Sequence, residues 1–375
     1  MKALIITTKG EFGGAQIFAK NLAFGLKKRR HAVIVAAGNG NGDFLERELS
    51  REKINFKRFY NLSRSFSPLR NFFFVLEVRK YLSDYQFDVL QLNGSNTLLA
   101  ALAARLVKNR PKIIFTHHGL SFLDPHSKNH LGKFFLRLAF KSLLPFVDQN
   151  VFVSKNNLDY ALKNNLVKEG TVVENGIEKI NLLTKKKAQK ILESKIGISL
   201  KNKFIIGSVG RLAYPKNYEF LIKSAGKITA TNPEAMFIVI GDGPEKEKYQ
   251  KMILEKGLEK KFFLAGEMES ASRFIGAFDI FTLMSLYEGL PMTLLEALQA
   301  GLPVLISENS NGGKIVKEEQ IFTLDNGGSF SRKISELMRS RELRVKLGLD
   351  NKKISKRFSL NKMADQYLKL FSYET

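Results

Sequence analysis

The chain has 375 residues and contains neither cysteine nor tryptophan. Without cysteine there is no disulfide framework, no thiol nucleophile, no iron–sulfur cluster and no thiolate-bound zinc. A reducing compartment fits that composition. Long apolar runs are missing as well. The uncharged stretch 89–104 carries Gln91, Asn93, Ser95, Asn96 and Thr97, whereas a spanning helix needs about 20 mostly apolar residues. Ala3–Thr8, after Met1 and Lys2, is shorter than the roughly 7–15 residues of a signal-peptide core and suits a buried first strand. These absences predict a cytoplasmic protein whose contact with a membrane is peripheral. No D-x-D occurs anywhere, and no H-E-x-x-H or similar spacing accompanies the adjacent His117 and His118. The expectation is therefore no metal and no cofactor.

Acidic residues are the minority, 36 against 60 Lys and Arg, for a net charge of +24. Such a balance suits nucleic acid, an anionic bilayer, or simply a solvated basic surface. No helix-turn-helix, zinc or RNA-binding aromatic signature accompanies it, so nucleic acid is not the expected partner. Two basic segments are rich in phenylalanine. Arg64–Lys80 holds Phe66, Phe72, Phe73, Phe74 and Leu76, and Lys133–Phe146 holds Phe134, Phe135, Leu138, Phe140 and Leu143. Each reads either as an interfacial helix on an anionic membrane or as an ordinary core-packed helix with its cations in water.

Short apolar runs alternate with helical patterns, which implies βαβ units and parallel sheets. Ala3–Thr7, Ala32–Ala37, Val89–Leu92, Ile113–Thr116 and Asn150–Val153 read as strands, with helices at Gly13–Lys28, Leu69–Ser83, Thr97–Lys108 and Lys133–Leu144. The pattern restarts after Glu178–Leu200, a Lys-rich segment read as linker plus surface helix. Strands follow at Phe204–Val209, Ala235–Ile240, Phe262–Ala265, Ile280–Leu283 and Pro303–Ile306, and helices at Tyr218–Ile228, Glu245–Lys256 and Thr293–Ala300. Ligand crevices in such sheets lie at the carboxyl ends of strands.

Five clusters sit at those ends. Tyr287–Leu298 carries Glu288 on a loop, then Gly289, Leu290 and Pro291, the last suited to the first helical position. Met292, Thr293 and, about two turns in, Glu296 follow. Free amides at 291–294 favour an anion, and the two carboxylates suit sugar hydroxyls. Alternatively, Glu288 is a surface loop residue and Glu296 a glutamate near a helix N-terminus, favoured by the helix dipole. Arg211 and Lys216, on the loop after Val209, suit a diphosphate. Gly13 and Gly14, in the glycine-rich turn after the first strand, would let backbone approach a ligand, although the turn fits neither G-x-G-x-x-G nor a P-loop. His117 and His118 end another strand and read as acid/base or hydroxyl-binding groups, or as core histidines. Gly241–Pro244 is a turn at a ligand-facing end, and nothing more is required of it.

In this order and spacing the clusters resemble glycosyltransferase family 4 over nearly the whole chain. Gly13-Gly14-Ala15-Gln16 is similar to that family's G-G-A-E/Q, and Asp88–Asn93 to D-V-V-H-x-H with Gln91 and Asn93 in place of both histidines. His118-Gly119, Asp148–Ser154, Glu174–Ile177, Gly210-Arg211 with Lys216-Asn217, Gly241–Pro244, the E-x7-E pair Glu288 and Glu296, and the tail Arg357–Tyr367 resemble further family motifs. The resemblance implies an α/β protein of GT-B architecture: two facing Rossmann-like parallel-sheet domains with an interdomain cleft. Residues 1–180 would form an acceptor-side domain and 181–355 a nucleotide-sugar domain. Residues 356–375 would form a helix that crosses back to the first.

The activity implied is retaining, metal-independent transfer of a sugar from a UDP- or GDP-sugar to a glycan or lipid-linked acceptor, in polysaccharide or lipopolysaccharide biosynthesis. By the same resemblance, Arg211 and Lys216 bind the diphosphate, Glu296 the ribose, and Glu288 the donor sugar. The amides of Gly289–Thr293 help hold sugar or phosphate. His118 sits at the reacting sugar and Gly13–Gly14 approach the donor. The family's D-x-G-G-x-x-E is altered at Ser307–Lys314. Other chemistry on the same architecture (an epimerase or a phosphorylase) and a non-enzymatic basic nucleic-acid-binding protein are the rival readings.

Overall fold

The computed structural model describes residues 1–40, 44–63, 67–120, 130–310, 315–325 and 327–372, with the side chains of 130–136 set aside. Arg64, Phe66 and residues 311–314 therefore lie outside the described residues, as do the side chains of Lys133, Phe134 and Phe135. The chain folds as two compact units, one formed by Met1–Glu178 with Ser359–Thr375, the other by Lys179–Phe358.

The first unit runs β1 (Lys2–Thr7), α1 (Gly14–Lys28), β2 (Ala32–Gly38), α2 (Phe44–Arg51), β3 (Asn55–Phe59), α3 (Pro68–Asp84), β4 (Val89–Asn93), α4 (Leu99–Arg105), β5 (Lys112–His117), α5 (His130–Leu143), β6 (Gln149–Phe152), α6 (Lys155–Lys163) and β7 (Thr171–Val172). Its seven strands are parallel in the order β3-β2-β1-β4-β5-β6-β7. Successive residues of a strand face opposite sides. Leu4, Ile6, Leu90 and Leu92 meet α3, α4 and α5 through Phe74, Val78, Ala100, Ala104 and Phe140. Ala3, Ile5 and Val89 meet α1 and α2 on the other side. Winding reverses between β1 and β4, whose last residues Thr7 and Asn93 lie in register, with Thr116 of β5 next to Asn93.

The second unit runs α7 (Lys185–Ile196), β8 (Phe204–Val209), α8 (Tyr218–Thr231), β9 (Ala235–Ile240), α9 (Lys246–Glu255), β10 (Phe262–Leu264), β11 (Ile280–Leu283), α10 (Met292–Gln299), β12 (Val304–Ser307), β13 (Ile321–Phe322), α11 (Gly328–Arg339) and α12 (Arg341–Ser355), and the chain then returns to the first unit in α13 (Leu360–Phe371). Its six parallel strands are ordered β10-β9-β8-β11-β12-β13, so the reversal falls between β8 and β11.

Several elements differ from the sequence reading. The helix read at 97–108 divides into a 3-10 turn, Ser95–Leu98, and the shorter α4. Three strands escaped the pattern: β3, which carries Lys57 and Arg58 at the sheet edge, and the two-residue β7 and β13. α3 is apolar on two faces. Phe74, Val78 and Leu82 are buried, while Leu69, Phe72, Phe73 and Leu76 are exposed. In α5, Phe140 is a core residue and Leu138 is exposed.

α13 completes the first unit. Leu360, Met363, Ala364, Tyr367 and Phe371, at helical spacing, are buried against α1. Ser359 caps the helix by accepting from the Lys362 amide, and the Leu360 amide donates to Ile177 O (3.1 Å). The helices touch at Gly25, where a Cβ would lie 2.6 Å from that of Ala364. Tyr367 reaches through to the sheet, its hydroxyl 2.7 Å from Thr116 Oγ1. Tyr367→Ala is expected to lower the unfolding free energy of this unit by about 3–5 kcal/mol, and Tyr367→Phe by about 1 kcal/mol, read by urea denaturation.

Candidate functional site

In the first unit the predicted residues gather at the carboxyl edge of β1, β4 and β5. β1 ends at Thr7, and Gln16 of α1 reaches back, its Nε2 donating to Thr7 Oγ1 and Lys9 O at 3.1 Å each. That clasp shapes the turn holding Gly13, which caps α1, and Gly14, which is exposed with open space around its Cα. A side chain at Gly13 would meet Gln16 Oε1 at 2.6 Å. Both glycines thus leave backbone accessible at a helix N-terminus.

The two adjacent histidines face different surroundings. His117 stacks on Phe152 with centroids 4.1 Å apart, touches Phe115 and Phe140, and places Nε2 3.0 Å from Asn150 Oδ1. Its Nδ1 is buried with no hydrogen-bond partner among the described residues. Burial pulls its pKa down to about 4, against the opposing hydrogen bond from Asn150. This is a core histidine. His118 is half-buried, edge-on to Phe18 at 4.5 Å, with Nε2 3.0 Å from Asn93 Oδ1. Asn93 Nδ2 already donates to Ile6 O (3.2 Å). Its oxygen must therefore accept, so His118 carries its hydrogen on Nε2 and keeps Nδ1 as an acceptor. Burial, reinforced by His117, pulls the His118 pKa down to about 3, so the ring is neutral at physiological pH.

Behind His118 lies a polar layer that the motifs alone did not reveal. Gln91 Nε2 donates to Thr116 Oγ1 (2.7 Å), which in turn pairs with the Tyr367 hydroxyl, and Phe18 packs edge-on to Tyr367. Gln91 and Asn93, marked in the sequence only as departures from the family pattern, are the residues that build it. Their polarity inside an apolar strand is the signal that could have found them.

In the second unit, the loops after β8 and β11 are stitched together where the Leu286 amide donates to Pro215 O (2.9 Å). Lys216 and Glu288 become partners: Lys216 Nζ donates to Glu288 Oε1 at 2.5 Å, and Ser285 Oγ donates to the same oxygen at 2.7 Å. Both side chains are mostly covered, 21% and 16% exposed. Ser307 Oγ donates to Ser285 O (2.6 Å), and Ser310 Oγ to Ser307 O (2.6 Å), bracing the loop from β12. Nothing in the sequence spacing announced these serines or the pairing of Lys216 with Glu288. The Arg211 side chain is exposed and makes no hydrogen bond or ion pair with the described residues.

Pro291 does not occupy the first helical position. It is extended and caps α10, which starts at Met292, and its carbonyl accepts from Leu294 and Leu295. Glu296 therefore lies little more than one turn into α10, not two, and is half-buried. Gly289 and Leu290 are buried in the approach to the helix. Thr293 Oγ1 is buried and lacks a hydrogen-bond partner among the described residues.

The Gly241–Pro244 turn packs on the Arg211 loop. Gly241 has φ +149°, and a Cβ there would meet Gly210 O at 2.0 Å, so only glycine fits. Asp242 accepts from the Gly243 amide and from Lys246 Nζ, both at 2.7 Å, and the lysine holds its carboxyl below the usual range.

Comparison with known proteins adds the following. Residues 12–179 match the family model described as Glycosyltransferase Family 4, and residues 190–354 the one described as Glycosyl transferases group 1. An Escherichia coli UDP-Gal:alpha-D-GlcNAc-diphosphoundecaprenol alpha-1,3-galactosyltransferase is 27% identical over 69% of this chain and 67% of its own length. The N-acetylgalactosamine-N,N'-diacetylbacillosaminyl-diphospho-undecaprenol 4-alpha-N-acetylgalactosaminyltransferase of Campylobacter jejuni is 26% identical over 79% and 80%. The crystal structure of Anabaena Alr3699/HepE in complex with UDP and glucose shares the fold, with a TM-score of 0.84 at 18% identity over 99% of both chains.

The histidines make stability depend on pH. Their native pKa values lie below the ordinary value of 6.5, so the unfolded chain binds more protons in acid. The stability they permit is full above pH 6.5 and falls as pH drops toward 4. His117→Phe is expected to reduce the slope of unfolding free energy between pH 6 and 5 by up to about 1.4 kcal/mol per pH unit, read by urea denaturation.

Proposed function

The chain belongs to glycosyltransferase family 4, and from that premise we propose that it moves a sugar from a nucleotide-sugar to a lipid-linked glycan acceptor, with retention and without a metal ion. The observation that carries the reading is the Lys216–Glu288–Ser285 cluster between the carboxyl ends of β8 and β11, with Arg211 and the first amides of α10 beside it in the same loops. Transfer breaks the bond from the anomeric carbon to the diphosphate and forms one to an acceptor oxygen, whose proton leaves with the diphosphate. Charge then builds on the leaving oxygen. Cations and amides already in place stabilise it without reorganisation.

Each residue has a role under this reading. Arg211, exposed and uncommitted, takes the diphosphate first. Lys216 is held ready by Glu288 and shares its charge with the incoming phosphate. Glu288 accepts from donor-sugar hydroxyls, and Glu296 from the ribose. The Thr293 hydroxyl and the amides of Gly289–Thr293 complete the cradle. In the first unit, Gly13 and Gly14 offer backbone. His118, neutral and with Nδ1 as its open acceptor, binds a sugar hydroxyl; it is too weak a base to hold a proton at neutral pH.

Uridine is the favoured base, because the Escherichia coli relative is named for UDP-Gal and the Anabaena protein was solved with UDP. The lipid-linked acceptor follows the diphosphoundecaprenol in the names of the two relatives. Surface polysaccharide or lipopolysaccharide assembly at the inner face of the cytoplasmic membrane is the corresponding process. No described helix is long and apolar enough to cross a membrane, so contact there would be peripheral.

UDP is expected to raise the melting temperature of the protein, and GDP not to. A ligand at a hundredfold excess over its Kd adds about 2.7 kcal/mol to the native state. Arg211→Ala and Glu296→Ala are expected to abolish the shift while melting normally without ligand. Equal stabilisation of both variants by UDP would overturn the assigned roles.

A further inference from the structure

α3 buries one face and leaves another apolar face bare. Leu69, Phe72, Phe73 and Leu76 recur at i, i+3, i+4 and i+7, and are 67%, 59%, 46% and 41% exposed. Tyr60, just after β3, is 67% exposed and its amide is tied to this helix through Glu77. Scattered apolar residues on a surface are ordinary; a contiguous stripe marks an interaction site.

The charges around the stripe have one sign. Arg70 flanks its start, and Arg79 and Lys80 its end, all exposed. Glu77, the acidic residue in the middle of α3, is turned to other work: it accepts from the amides of Tyr60 and Asn61 and from Asn61 Nδ2, at 3.3, 3.4 and 3.2 Å. The stripe is therefore aromatic and aliphatic at its centre and cationic at its ends. A second copy of this chain is a poor occupant, since each copy carries a net charge of +24. An anionic lipid surface complements both properties, because phenylalanine and leucine enter the acyl boundary while arginine and lysine remain at the head groups.

We propose that the Leu69–Leu76 face of α3 is the surface by which the first unit rests on an anionic bilayer. This deepens the glycosyltransferase reading and rests on it for one point, that a lipid-linked acceptor gives the protein reason to be at a membrane. The stripe would set the height of the first unit above the acyl chains.

The test is co-sedimentation of the full chain with phosphatidylcholine vesicles, with and without phosphatidylglycerol, at low and high salt. The wild type is expected to pellet with the phosphatidylglycerol vesicles at low salt and to be released at high salt. Phe72→Ser with Phe73→Ser is expected to lower the bound fraction at least tenfold, and Leu69→Gln with Leu76→Gln, a second variant in case the first misfolds, to do the same. Arg79→Glu with Lys80→Glu is expected to weaken binding only to the anionic vesicles. No pelleting of the wild type, undiminished pelleting of the folded stripe variants, or loss of a wild-type dimer in those variants by size exclusion would each overturn the proposal. Stabilisation by UDP is measured on the same variants and is expected to be unchanged, which separates failure of the docking surface from failure of the nucleotide reading.

Discussion

A parallel sheet covered by helices on both faces tolerates a polar side chain within it only if that side chain finds partners there. The organisation of the first unit follows from that constraint. The polar groups that enter its central strands find partners: Gln91 donates to Thr116, Thr116 pairs with Tyr367 of α13, Asn93 bonds His118 and Ile6 O, and His117 pairs with Asn150. The result is a braced edge. His118 stands at its rim with a defined tautomer because Asn93 has one oxygen left to offer. A histidine in that family position can thus be fixed as a hydrogen-bonding group without a carboxylate behind it.

The second unit solves a different problem. It places two cations at its strand ends, where a buried and unpaired charge would be costly. Lys216 is mostly covered and is paired with Glu288, while Arg211 stays in water, where a lone guanidinium costs little. The two cations of one motif therefore have different resting states. The serines at 285, 307 and 310 pass the bracing from one strand end to the next, and Ser285 donates directly to the carboxylate that restrains Lys216.

What could be read from sequence follows the same physics. β8, β9 and β11 match their apolar runs residue for residue, since a strand buried on both faces has no alternation to obscure it. β3 lies at an edge and carries Lys57 and Arg58, so no unbroken apolar run marks it. The missing amide of Pro291 suits the first position of α10, yet the residue is extended and precedes the helix, which moves Glu296 nearer the helix start. Family motifs located the strand-end loops, but not who pairs with whom inside them. Lys216 and Glu288 are 72 residues apart, and Thr116 and Tyr367 251 apart. Only the fold brings such pairs into contact. The sequence leaves both readings of α3 open, because its phenylalanines have the same composition whether they point into a core or out of it.

The position of α13 in the chain has a consequence for how the protein is made. The second unit is continuous, from Lys179 to Phe358, and all of it has left the ribosome before the helix that finishes the first unit does. During synthesis, the α1 side of the first sheet waits with Phe18, Leu22 and Gly25 uncovered until residues up to Phe371 have emerged. The amino-terminal unit, begun first, is thus the last to close. Quality control of a nascent or truncated chain would see its exposed apolar face for the whole time the second unit takes to be translated.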